Sequence, residues 1–86
     1  KNTLLAPSKV NNDADKCVFE GSYTTTPTWI NLPDTTSSTY GVLTVNQSND
    51  FIMQIYKIKF DVNFYIRVGK IGNWDEWVKF TGVKVV

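Results

Sequence analysis

A short alternating stretch that leads into a closely spaced tryptophan pair constrains the fold of this chain more than any other feature. Residues 63–69 read Asn-Phe-Tyr-Ile-Arg-Val-Gly, which alternates as a β-strand does. In an extended chain, Tyr65 and Arg67 fall on one side, which we interpret as the polar face, and the apolar side chains fall on the other: Phe64, Ile66 and Val68.

The tryptophan pair follows this stretch after a glycine-containing turn. Trp74 and Trp77 are three positions apart and enclose two carboxylates, Asp75 and Glu76. Positions i and i+3 of a flat strand face opposite ways, so the spacing predicts one helical turn or a bulged strand entry. Because two exposed indoles in four residues are costly, at least one is expected to be a core anchor.

The other segments also read as strands. β-Branched and aromatic residues predict strands at residues 17–24, 40–46, 51–60 and 78–81, with a hairpin turn at 46–50. Residues 24–38 form a long Pro/Thr loop. The sequence therefore predicts a mainly all-β domain: a small antiparallel sheet or sandwich of about five strands with little helix. Apolar residues on both sides of 51–60 indicate that both faces of this strand are covered, by another sheet, by the loop or by a second subunit.

Composition argues against catalysis. The 86 residues make one small domain with a net charge of +1, no histidine and one cysteine, Cys17. The commonest general base and metal ligand is thus missing, and one sulfur cannot fill a zinc shell or form an internal disulfide. Asp75 and Glu76 are adjacent and point apart in an extended chain, which does not suit a glycosidase pair. We expect no enzyme activity, no cofactor and no metal, and we interpret Cys17 as a small buried hydrophobic residue on a strand.

Charge and hydropathy also limit the partners. The lysines are isolated among apolar residues, so no basic patch favours nucleic acid. The longest apolar stretch is interrupted by polar residues, and we expect no membrane insertion. Because the chain begins at Lys1 rather than Met, we expect a fragment of a longer polypeptide, with residues 1–12 as a lead-in from a preceding segment and 13–86 as a single β-domain.

Several short motifs occur together in a particular order. They are Asp13-Ala14-Asp15, Gly21-Ser22-Tyr23, Asn31-Leu32-Pro33, residues 40–45, Gln54-Ile55-Tyr56, residues 64–67 and Trp74-Asp75-Glu76-Trp77. In this order the chain resembles the pyocin-knob type domain of bacteriophage and phage-derived tail fibres. The resemblance implies a non-enzymatic knob in a homotrimeric fibre or receptor-binding protein of the virion. It also implies attachment to a bacterial cell-surface glycan, either a polysaccharide or a teichoic acid.

Two other functions stay open beside glycan attachment. One is a purely architectural trimeric knob without a ligand, and the other is a carbohydrate-binding module of a secreted enzyme, which predicts a monomer with a linear aromatic platform. The candidate ligand-binding residues are Trp29, Asn31, Asp34, Tyr65, Arg67 and Trp77.

Each of these side chains has a structural alternative. Trp29 is either a surface platform or an anchor of the long loop, and Trp77 is either a sugar-facing ring or a core or subunit-interface residue. For Arg67 we expect an ion pair with Asp75 or Glu76, or stacking on a tryptophan. Gln54 lies within an apolar strand, so we expect it to be buried and bonded to loop backbone around residues 31–33.

Overall fold

Six strands form one antiparallel sheet in the computed structural model, which describes residues 12–33, 40–70 and 72–85. The strands are β1 (Gly21–Thr25), β2 (Gly41–Gln47), β3 (Ile52–Ile58), β4 (Phe64–Lys70), β5 (Asn73–Trp74) and β6 (Val78–Phe80). Their order is β1-β2-β3-β4-β5, and β6 pairs with the same edge of β4 as β5 does. The predicted small, mainly all-β domain with little helix is confirmed, in its sheet rather than its sandwich form.

Some predictions fall outside the described residues. These are the lead-in at 1–12, except Asn12, and the part of the long loop that contains Asp34. Before β1, the described chain makes a single 3₁₀ turn, Ala14–Lys16, capped by Asp13, whose Oδ1 accepts the Asp15 amide at 2.9 Å. Within the described ranges, no helix is long and apolar enough to cross a membrane.

The boundaries of β2, β3 and β4 lie close to the predicted ones, because clusters of turn residues separate these strands. The Asn-Gln-Ser-Asn-Asp run separates β2 from β3, and the Ser48 amide donates to the Phe51 carbonyl at 2.8 Å. The first strand was predicted too early. Residues 17–20 are not part of β1, since Cys17 closes the 3₁₀ turn by donating its amide to the Ala14 carbonyl.

The hydrophobic core lies on one face of the sheet, here called the inner face. The sheet contributes alternate residues, namely Tyr23, Leu43, Val45, Ile52, Tyr56, Ile58 and Tyr65. The parts of segment 12–33 on either side of β1 cover them with Ala14, Cys17, Val18, Trp29 and Leu32. Leu43 and Val45 are almost completely buried, and each contributes about 1.5–3 kcal/mol from the transfer of its side chain out of water.

The assignment of faces in β4 was wrong. Tyr65 and Arg67, interpreted as the polar face, are 5% and 7% exposed and point to the core. The apolar side chains of Phe64, Ile66 and Val68 are instead half-buried on the opposite face, called the outer face. The reason is that segment 12–33 covers the inner face and supplies partners that compensate the charge of Arg67.

Candidate functional site

A β-bulge brings the two tryptophans to the same face. Gly69 is paired with Trp74 and Ile66 with Val78, so β4 advances three residues while its partner advances four. The extra residue lies opposite Arg67 and turns Trp77 to the inner face beside Trp74. Of the two arrangements that the spacing predicted, the structure has the bulged strand and not the helical turn.

Gly69 makes room for this arrangement. A Cβ atom at this position would lie 2.6 Å from the Asn73 carbonyl oxygen, 2.7 Å from the Trp74 Cα and 2.8 Å from the Trp74 ring. The indole of Trp74 therefore lies across a strand position that has no side chain. Gly72 supplies the turn between β4 and β5 with φ +79°, a conformation that favours glycine.

Arg67 is the centre of the cluster. Its guanidinium carbon lies 4.3 Å from the ring centroid of Trp74 and 4.5 Å from that of Trp77, so the cation contacts both indoles. Its Nε donates to Gln54 Oε1 and its Nη2 to Asp15 Oδ1, both at 2.8 Å. Stacking on tryptophan is thus confirmed. The ion-pair prediction was wrong, since Asp75 and Glu76 are exposed and the partner is Asp15.

Gln54 connects this cation to the 3₁₀ turn. Its side chain is fully buried, and its Nε2 donates to the carbonyl oxygens of Ala14 at 2.7 Å and Cys17 at 2.9 Å. Burial with satisfied hydrogen bonds was predicted correctly, but the partners were not residues 31–33. The 3₁₀ turn, rather than the later loop, lies over the middle of β3. We call Asp15, Gln54, Arg67, Trp74 and Trp77 the arginine cluster.

Burial shifts the protonation of two groups around this cluster. It lowers the pKa of Arg67 below its ordinary value, while the hydrogen bond and charge of Asp15 act in the opposite direction. Burial also raises the pKa of the Cys17 thiol to about 12, with a further rise from Asp13 and a small lowering from Arg67. Cys17 is thus a buried, protonated thiol and not a nucleophile. Its burial was predicted correctly, but it follows the 3₁₀ turn and does not lie on a strand.

Three of the predicted ligand-binding residues come together. The half-buried Trp77 donates its Nε1–H to the Asn31 carbonyl oxygen at 3.2 Å, and its ring contacts Arg67. Asn31 has a positive φ of 64°, and its Nδ2 donates to Asp13 Oδ1 at 2.7 Å. The loop after Trp29 is therefore fixed to both the bulge and the 3₁₀ turn.

The other predicted residues are placed differently. Trp29 is 4% exposed and packs edge-on against Tyr23, with ring centroids 6.3 Å apart, which is the position that loop anchoring predicts. Tyr65 is 5% exposed and lies beside Tyr56 in the core. Neither ring offers a face to a ligand in this arrangement. Asp34 is outside the described residues.

Sequence reasoning missed Asp15 as a partner of Arg67. The two residues are 52 positions apart, and no local pattern connects them. The signal that could have suggested it is the Asp-x-Asp motif, in which one carboxylate caps the turn and leaves the other free to face the sheet.

The described residues hold no group of three or more His, Cys, Asp or Glu side chains that could bind a metal ion. Comparison of the chain with family models, with curated proteins and with solved structures finds no match.

Proposed function

We propose that this chain is a non-catalytic domain of a phage tail fibre or receptor-binding protein that attaches to a bacterial surface glycan. The resemblance to pyocin-knob type domains supports this function, and one structural observation carries it: the half-buried indole of Trp77, held in a fixed orientation and preceded in the chain by two exposed carboxylates. An aromatic ring next to hydrogen-bond acceptors suits a sugar, which has an apolar ring face and hydroxyl donors at its edge.

In this proposal, the arginine cluster positions the binding ring. The guanidinium of Arg67 contacts Trp77, and the Nε1–H bond to Asn31 fixes the rotation of the indole. A pyranose packs on the accessible part of Trp77, and a hydroxyl group at its edge donates to the nearer of the two exposed carboxylates, Asp75 or Glu76. Because the ring is held before binding, less conformational entropy is lost when the glycan docks.

Trimerisation in the virion fibre would strengthen this contact. A single shallow site of this kind has low affinity, and three linked sites raise the avidity without new contacts. Attachment then depends on the copy number of the domain as much as on each site.

A specific observation favours an architectural knob as the second candidate. Arg67 and Gln54 use their polar atoms inside the domain, where they connect β3 and β4 to the 3₁₀ turn. This arrangement stabilises the fold whether or not a glycan binds. The third possibility, a carbohydrate-binding module of a secreted enzyme, would need a linear aromatic platform, and the burial of Trp29 removes that ring from such a row.

The test uses cell-wall sacculi purified from several bacterial species as the probe. Binding of the whole chain is compared with that of the double variant Asp75→Asn/Glu76→Gln and of a control, Asp50→Asn, an exposed carboxylate in the β2–β3 turn. Glycan attachment through Trp77 predicts about a fivefold loss of binding in the double variant, equivalent to about 1 kcal/mol, and none in the control. Equal binding by all three proteins would contradict attachment through Trp77 and its neighbouring carboxylates, and no binding by any of them would favour the architectural knob.

Light scattering tests the trimer separately. A mass of three times the 9.8 kDa chain at micromolar concentration supports the fibre proposal. A stable monomer contradicts trimerisation by this domain and favours the secreted-module alternative.

A further inference from the structure

A groove on the outer face lies at the end of the sheet where β2 begins and β3 ends. It has a volume of about 420 Å³ and is lined by Thr24, Tyr40, Gly41, Val42, Lys57, Ile58 and Lys59. This volume is within the range of small-molecule sites. The Arg67 side chain points to the inner face, so the groove and the Trp77 site are on opposite faces of the sheet.

The register explains how the groove is built. Val42 is paired with Lys57, and the Lys59 amide donates to the Tyr40 carbonyl at 2.8 Å, so Tyr40 and Lys59 continue the same ladder. Alternate residues share a face, so the two lysines lie on the outer face together with Tyr40 and Val42, each lysine beside its cross-strand partner. Lysine and apolar or aromatic side chains thus meet in two adjacent cross-strand pairs.

The groove combines an accessible ring with uncompensated positive charge. Tyr40 is 53% exposed and Val42 45%, which leaves a flat apolar surface open to solvent. The only ion pair among the described residues is that of Arg67 with Asp15, so neither lysine is matched by a carboxylate there. Lys57 Nζ donates to the Ile58 carbonyl at 2.9 Å, and Lys59 Nζ lies 5.0 Å from the ring centroid of Phe60. An ammonium group in either position retains donors for an anion.

We propose that this groove binds a carboxylate-bearing pyranose, the repeating unit of an acidic glycan. The sugar ring packs on Tyr40 and Val42, the carboxylate accepts from Lys57 and Lys59, and the Thr24 hydroxyl bonds a ring substituent. The occupant follows from charge complementarity together with the apolar floor: a neutral sugar leaves the two lysines unmatched, and a small inorganic anion leaves the Tyr40 surface open. The ligand class is that of the proposed function, but the site is separate.

The test is NMR titration of the whole chain with methyl β-D-glucuronoside, with methyl β-D-glucoside and with acetate. Acidic-sugar binding predicts saturable shifts at Thr24, Tyr40, Val42, Lys57 and Lys59 with the glucuronoside, and at least fivefold weaker binding of the other two probes. Because the Trp77 indole N–H gives its own signal, a site at Trp77 and a site in the groove are read out separately, and either proposal can fail without the other.

Charge variants test the two lysines. Lys57→Gln/Lys59→Gln should weaken glucuronoside binding about five- to tenfold, while Lys79→Gln, an exposed lysine of β6, should leave it unchanged. The weakening should shrink at high salt, where the charges are screened. Equal shifts from acetate, equal shifts from the neutral glucoside, an equal effect of Lys79→Gln or no shifts in the groove would each overturn the proposal.

Discussion

The inner and outer faces of β3 and β4 distribute polar and apolar side chains in opposite ways. The covered inner face carries Gln54 at 0% exposure and Arg67 at 7%. The outer face carries Ile55, Ile66 and Val68, which are only half-buried. Hydropathy alone would assign the faces of β4 the other way. The difference shows that coverage by segment 12–33 and complete hydrogen bonding decide which face is interior.

The two faces should therefore differ in their response to substitution. On the inner face, the buried polar groups are hydrogen-bonded to one another, so the loss of one leaves a buried donor or acceptor without a partner. On the outer face, substitution of an apolar side chain removes only its partial contacts with neighbours that are themselves exposed to water. Substitutions of similar size on the two faces measure this difference directly.

Arg67→Met should have the largest effect. It removes two hydrogen bonds and both indole contacts, and it leaves Gln54 Oε1 without its donor. We expect a loss of about 3 kcal/mol in the free energy of unfolding, measured with urea. Asp15 limits the penalty, because its half-exposed side chain is solvated by water when the pair is broken.

The matched control for this variant is Lys79→Met, which removes an exposed lysine from β6. It should change the free energy of unfolding by no more than about 0.5 kcal/mol. If Arg67→Met cost as little as this control, the arginine cluster would not be what holds segment 12–33 on the sheet.

Gly69→Ala should have the next largest effect. The new Cβ would meet backbone atoms of Asn73 and Trp74, which cannot rotate away as a flexible side chain would. We expect a loss of about 2 kcal/mol and a changed near-ultraviolet circular dichroism signal from the displaced indole. Gly72→Ala provides the comparison, since nothing lies within 4 Å of its Cβ position and only its φ of +79° is unfavourable. Its cost should be about 1 kcal/mol; the reverse order would contradict close packing of Trp74 on β4.

The burial of Cys17 on the inner face should also make the free energy of unfolding depend on pH. The pKa of Cys17 is about 12 in the folded chain, against an ordinary value of 9.0, chiefly because burial disfavours the thiolate. Above pH 9 the unfolded thiol loses its proton while the folded thiol keeps it. The contribution of this thiol to the free energy of unfolding is therefore fully present below pH 9 and decreases as the pH rises toward 12. Between pH 8 and 10.5, we expect a loss on the order of 1–2 kcal/mol.

Cys17→Ala isolates the contribution of this thiol to the pH dependence. The variant should be less stable at every pH because of the lost packing, but its free energy of unfolding should decline less than that of the wild type between pH 8 and 10.5. Parallel curves for the two proteins would show that water reaches the thiol.

The sequence predicted the strands more successfully than the contacts between distant parts of the chain. The Asn-rich turn after β2 and the alternation in β4 are local signals that were recognisable from the sequence, and the bulge before β6 was one of the two arrangements that the tryptophan spacing predicted. The Arg67–Asp15 pair and the Gln54 bonds to the 3₁₀ turn join residues tens of positions apart. Which face of β4 is buried depends on those long-range contacts, and so the assignment failed there.

The smallest effect should come from Val78→Thr on the outer face, compared with the same substitution at Val45 on the inner face. Val78 is 54% exposed and Val45 only 1%, and both lie within strands, where threonine is well tolerated by the backbone. The new hydroxyl at position 78 can bond water, so we expect a change within about 0.5 kcal/mol. At position 45 the hydroxyl is buried among apolar side chains, and the cost should be about 2 kcal/mol. Equal costs at the two positions would mean that the outer face is also buried in the folded protein, and a fall in mass with Val78→Thr in light scattering would then identify a second copy of the chain as its cover.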